Sequence, residues 1–155
     1  MFLETILCGL AAGAAGAILM NLFLRWVSHA FDEPENMVEV LGSFFTGSRG
    51  STAITLGTVL HLFFGALFGT LYAWVLTLMQ AAQAPAALFA GMGFGFVHGL
   101  LVSYGLMLFV REQHPVKELR SCSMSVGVLY LIAHTLYGGF VGLVAGLLGL
   151  VVSFT

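Results

Sequence analysis

Three histidines, His61, His98 and His134, stand alone within long apolar stretches of the chain. Two of them open the same phrase. His61-Leu-Phe-Phe-Gly65-Ala-Leu-Phe-Gly69 and His134-Thr-Leu-Tyr-Gly138-Gly-Phe-Val-Gly142 both read H-x-x-aromatic-G-x-x-x-G. An imidazole is expensive to bury in a bilayer, so its default reading there is a functional one. The chemistry open to it is short: axial ligation of haem iron, a zinc or copper site, a proton relay, or a polar contact to a quinone or lipid headgroup. Against these stands a plain structural role, a hydrogen bond between helices worth about 0.6–2 kcal/mol.

The sharpest chemical reading is a b-type haem, with His61 and His134 as axial ligands. Gly65 and Gly138, one turn from each histidine, would then leave room for the face of the macrocycle. A zinc or copper site asks for three or four converging ligands, which would require His98 to come closer in height. In the structural reading His61 bonds to Asn21, Thr58 or a backbone carbonyl, and His134 to Tyr130 or Thr135. His29 and His114 fall at polar edges, where solvation or surface pH sensing is expected. No enzyme constellation is visible. The apolar stretches carry no carboxylate beyond the terminal Glu4, and no phosphate-binding Gly-rich loop follows a strand. An ion-coupled transporter would show buried carboxylates or interrupted helices at mid-depth, yet Pro34, Pro85 and Pro115 all lie in links.

The elements that must position these side chains follow from composition. The 155 residues are 59% hydrophobic and 8% charged, with mean hydropathy +1.02. Globular chains carry roughly a quarter charged residues. The net charge of −2 gives no basic stripe for nucleic acid. A span needs about 20 apolar residues, and such runs lie at 5–28, 54–79, 86–110 and 126–153. The chain is therefore expected to be all-α: one polytopic membrane domain over 1–155, a four-transmembrane-helix bundle. Arg25, Arg49, Arg111, Lys117 and Arg120 sit in or beside the first and third links. The positive-inside rule makes those links cytoplasmic and both termini outward, in a prokaryotic inner membrane. Trp26 at one edge, and Tyr72 with Trp74 near the other, suit interfacial aromatics. At 1.5 Å per residue His61 lies about 10 Å from the link-side edge, His134 about 12 Å and His98 about 18 Å, so the first two form the level pair. As the diagonal helices of a bundle, their spans would stand about 11–14 Å apart.

The first link holds a short amphipathic helix, expected at 34–46. Met37, Val40, Leu41, Phe44 and Phe45 share one helical face. Asp32 can cap its start, Pro34 suits the first turn, Glu35 completes a capping box and Gly47 can end it. Its opposite face carries Glu35, Asn36 and Glu39. The plain reading is an interfacial helix lying on the bilayer; such helices favour a basic polar face, so the acidic one also points to docking against a partner subunit. Cys8 and Cys122 fall at opposite faces of the bundle, too far apart to pair. The N-terminal Met-Phe-Leu-Glu lacks the positive charge of a leader, so the first span is expected to be retained.

Every span also carries a small-residue stripe at spacing four: Gly9, Gly13, Ala17, Asn21; Gly57, His61, Gly65, Gly69; Gly91, Gly95, Gly99, Ser103; and His134, Gly138, Gly142, Gly146. Residues four apart share a helix face, and small ones there let backbones approach. These are read as packing seams, and they argue against a broad pore. Laying His134 on His61 brings Tyr137 onto Phe64, Gly138 onto Gly65 and Gly142 onto Gly69, while Ala12-Gly13 matches Ala90-Gly91. Two hairpins related by a pseudo-two-fold axis along the membrane normal would produce this.

The glycine-rich first span, the link Met37-Val-Glu-Val-Leu-Gly42-Ser-Phe-Phe-Thr-Gly47, the run His61-x-x-Phe-Gly65-x-x-x-Gly69-x-x-Tyr72 and the final His134-x-x-Tyr-Gly138 together resemble a family of small bacterial and archaeal four-helix membrane proteins, a domain of unknown function. The resemblance covers most of the chain and implies the fold rather than an activity. One departure is the absence of proline in Leu106-Met-Leu-Phe109 at the end of the third span. With no enzyme constellation and little soluble mass, the expected role is a small non-catalytic subunit of a larger, energy-transducing membrane complex. The alternatives are a haem b electron carrier and a small oligomeric transporter or channel.

Overall fold

The computed structural model of the chain describes residues 2–31, 36–81, 83–120 and 123–148. Their order is α1 (Phe2–Phe31), α2 (Met37–Thr46), α3 (Ser51–Leu78), α4 (Ala86–Leu100), a π-helical segment (Leu101–Leu106), α5 (Met107–Gln113), a 3-10 turn (Lys117–Arg120) and α6 (Met124–Leu147). No strand occurs among the described residues. Four helices are long and apolar enough to cross a membrane: Leu3–His29, Ser51–Leu78, Ala86–Gln113 and Met124–Leu147. Helices suit such sequences because each closes its own backbone hydrogen bonds where no water is at hand. The all-α bundle expected from the sequence is what forms. Its third span runs on through the π segment to Gln113, while the end expected for the fourth lies largely outside the described residues, as does Cys122.

Glycine seams decide which helices meet. A side chain on Gly13 would strike the carbonyl oxygen of Gly65 and Cα of Gly69; one on Gly91 would strike the carbonyl oxygen of Gly138 and Cα of Gly142. Likewise Gly69 faces Gly9 and Gly13, and Gly142 faces Ala87 and Gly91. The α1–α3 and α4–α6 hairpins therefore share one packing plan, at the register the paired His-Gly phrases set. Such backbone proximity is how helices associate without a hydrophobic driving force between them. The hairpins join mainly through α1 and α6, where Gly16 accommodates the rings of Tyr137 and Phe140. The Tyr137 hydroxyl donates to the Gly65 carbonyl, so the aromatic of the second phrase is tied to the glycine of the first. By contrast α3 and α4, consecutive spans, make little contact, and the bundle is loosest there.

The amphipathic helix forms, but it is not turned as expected. Its buried side is Val38, Glu39, Gly42 and Ser43. Gly42 abuts the Ala53 carbonyl and Gly57 abuts the Val38 carbonyl, so α2 is fastened to α3 backbone to backbone. Glu39, expected on the outward acidic face, is turned inward. It accepts from Arg49 Nη2 at 2.9 Å, from Arg49 Nε at 3.2 Å and from the Gly50 amide at 3.0 Å. Arg49 thereby holds the Glu39 carboxyl below the usual carboxylate range, against the opposing effect of burial. Gly47, left-handed at φ 68°, closes the helix as expected. Asp32, Pro34 and Glu35, the expected start signals, lie outside the described residues.

Two further expectations are corrected. His114 is not solvated: it is 0% exposed. Its Nδ1 accepts from the Val116 amide at 3.1 Å, which leaves Nε2–H to donate to the Val40 carbonyl at 3.1 Å. The third link is thus pinned onto α2. Tyr72 is not interfacial either. It is 5% exposed and lies in the core, whereas Trp26 and Trp74 do face outward. His29 is exposed, as expected of an edge residue.

Candidate functional site

The three span histidines line one cavity of about 420 Å3. Its floor is the Met37, Val40, Leu41 and Phe44 face of α2. Its walls are His61, Phe64 and Phe68 of α3, His98 of α4, Ser103 of the π segment, Met107 and Val110 of α5, and His134 and Tyr137 of α6. Among the described residues no acidic residue, lysine or arginine contributes to the lining.

His98 is where counting depth along each helix misleads. Its ring centroid is 5.0 Å from that of His134, edge to face. The register is set by the seam: Gly95 lies against the His134 carbonyl and Gly99 against the His134 Cβ, so α4 is drawn onto α6 at the level of that histidine. Depth counted from helix ends misses this, because the glycines fix how far each helix slides. Phe68 stacks on His98 at 4.0 Å and 31°. The Tyr72 hydroxyl stands 2.9 Å from His98 Nδ1; with the phenol donating, the His98 proton sits on Nε2. Side chains thus bridge α3 and α4 where their backbones make little contact.

The tautomer of His134 follows from one contact. Its Nδ1 is 2.7 Å from the Tyr130 carbonyl, which can only accept, so Nδ1 carries the proton and Nε2 is a bare acceptor. Tyr130 is one of the partners expected of His134, but the bond lies within α6 and does not join two helices. The bond expected of His61 does not form. Thr58 gives its hydroxyl to the Ile54 carbonyl, Asn21 lines a separate groove beside α1, and His61 Nδ1 is buried with no partner.

A second orphan is Ser103, which the sequence shows only as the last member of a packing stripe. It is 1% exposed, and its hydroxyl has no partner. Thr58, Thr70, Thr77 and Thr135 each return their hydroxyl to the carbonyl four residues back. Ser103 makes no such bond within the π segment. Single π turns inside α-helices recur at functional sites. A serine among glycines at spacing four gives no hint of this, since the sequence does not announce where a helix will widen. Ser103 and Tyr72 are the site residues to which the sequence assigned other roles, a packing stripe and a membrane edge.

Gly65, but not Gly138, borders the cavity, and both glycines serve the helix seams. The space beside Gly65 is filled by Ala17 and Gly13, and that beside Gly138 by Gly91 and Gly95. What stands next to His134 is the ring of His98. Haem and electron transfer find no support in this arrangement. Among the described residues no three or more His, Cys, Asp or Glu side chains are grouped to hold a metal ion.

No family model, no curated protein and no solved structure matches the chain. The resemblance carried by the His-Gly phrases gains nothing from them.

Proposed function

We propose that this protein is a small, non-catalytic membrane protein that holds a lipid-soluble molecule in the cavity between α2, α3 and α4. The observation that supports this is a pair of buried polar groups without partners, His61 Nδ1 and Ser103 Oγ, on two residues that line a largely apolar, uncharged chamber. A buried donor or acceptor left unmade costs about 1–3 kcal/mol, so a chamber that retains two invites a ligand to complete them. The sparse contact between α3 and α4 gives such a ligand a lateral way in from the acyl chains. With the charged links cytoplasmic, as the positive-inside rule sets them, this door stands in the cytoplasmic half of the bilayer.

The test is extraction of the protein into lipid nanodiscs from the membranes that express it, followed by mass spectrometry of what remains bound. A neutral lipid-soluble compound should co-purify in near-stoichiometric amount and be depleted when Val102→Trp fills the chamber. A chain that carries nothing and takes up no neutral lipid from vesicles would end this reading. Membership of a larger assembly is the companion expectation, and it fits a chain whose soluble mass is little more than α2 and short links. Co-purification of a stable partner in mild detergent supports it; a lone species at native abundance counts against it.

A further inference from the structure

We infer that the occupant of the cavity is a neutral isoprenoid quinone, its ring held between His61 on α3 and Ser103 on the π segment; this rests on the ligand-binding reading above.

Charge narrows the choice first. The lining offers no lysine or arginine, and an anionic headgroup buried there would go uncompensated. That disfavours phospholipids and fatty-acid carboxylates. The number and place of the orphan groups narrow it further. One belongs to α3 and the other to the continuation of α4, the consecutive spans that touch least. A long-chain alcohol or a simple ester presents its oxygens at a single point, so it completes both only where one point reaches the two together. A quinone ring carries oxygens on opposite sides and can complete both, bridging the gap.

The character of the two groups favours the same ligand. A serine hydroxyl can donate or accept, and a histidine nitrogen whose tautomer no neighbour dictates can do either. His61 Nδ1 has no partner to dictate it, unlike Nδ1 of His134. The pair can therefore serve the carbonyls of a quinone as donors and the hydroxyls of a quinol as acceptors. The walls suit a flat ring, with Phe44, Phe64, Phe68 and Phe109 among the lining side chains; aromatic faces prefer offset or edge-on contact with other rings. The volume, about 420 Å3, lies within the range of small-molecule sites. It holds a substituted ring, while the isoprenoid tail leaves between α3 and α4.

The experiment uses the full chain in nanodiscs of dioleoylphosphatidylcholine, with empty nanodiscs as the partition control. Decylubiquinone is the probe; dodecanol and oleic acid are the comparison ligands. Saturable binding of one decylubiquinone per chain is expected above the empty-disc background, in both oxidised and reduced forms. Ser103→Ala and His61→Phe should each weaken it by about tenfold, the loss of one buried hydrogen bond, while Ser103→Thr retains it. All variants should remain monodisperse. Dodecanol binding without decylubiquinone binding would overturn the quinone assignment and leave the ligand-binding reading standing. Quinone binding indifferent to both substitutions would also overturn the assignment. Failure of every probe would sink both readings together.

Discussion

Ser103 and His114 are both almost wholly buried polar side chains, and they have opposite energetics. His114 is completed on both ring nitrogens, so its burial fastens one link to another. His114→Ala should destabilise the fold by about 2 kcal/mol, the value of two lost hydrogen bonds, and hydrogen exchange should quicken in α2 before it quickens in α3. Ser103 has no partner, so Ser103→Ala should leave the ligand-free protein unharmed or raise its stability by about 1 kcal/mol in a detergent unfolding titration. A clear destabilisation would mean that the hydroxyl has an internal partner after all. Glu39 supplies a pH dependence. Its folded carboxyl is depressed by Arg49, so the stabilisation is complete above the unfolded value of about 4.3 and is lost as pH falls through the lower folded value. Thermal melts from pH 7 down to pH 3 should show α2 loosening at the acid end, and Glu39→Gln should be less stable at neutral pH with a flatter profile.

At the scale of elements, the glycines are not equivalent, and their neighbours say which ones matter. A side chain on Gly57 would meet the Val38 carbonyl, whereas one on Gly93 would meet nothing within 4 Å. Gly57→Ala should therefore lift α2 from α3 at a cost of about 1–3 kcal/mol, and proteolysis after Arg49 should accelerate. Gly93→Ala should change stability by less than about 0.5 kcal/mol. The existence of α2 was legible beforehand, because its apolar positions recur at helical spacing. Its orientation was not. Periodicity ranks faces by hydrophobicity, but Gly42 lets α3 come so close that contact between backbones outweighs the apolar stripe, which lines the cavity instead. The same applies to Glu39: its charge was plain, but its counter-ion lies ten residues on, across a turn that periodicity does not see.

For the molecule as a whole, the shared packing plan of the two hairpins makes a quantitative claim. Gly13→Ala and Gly91→Ala place a methyl group against corresponding atoms, Gly65 and Gly69 in one hairpin and Gly138 and Gly142 in the other. Their costs should agree within about 0.5 kcal/mol, and the double variant should show the sum, since the seams are separate. Unequal costs, or a sum that fails, would mean that the hairpins do not stand independently. The open contact between α3 and α4 also predicts that two fragments divided in the link between them reassemble when co-expressed, because the closest seams lie within each hairpin and α1 with α6 joins the halves. Co-elution of the fragments checks this.

Composition and periodicity alone determined a great deal here: four apolar helices, the short helix between the first two, and seams of small residues at spacing four. These are properties of a residue and its near neighbours in the chain, and lipid-compatible backbone bonding leaves few other options. The meeting of His98 with His134, the burial of Tyr72 and His114, and the isolation of Ser103 were decided only in three dimensions. Each depends on how far one helix slides along another. That register is set by which glycine meets which carbonyl, a pairing between distant segments that no local pattern encodes.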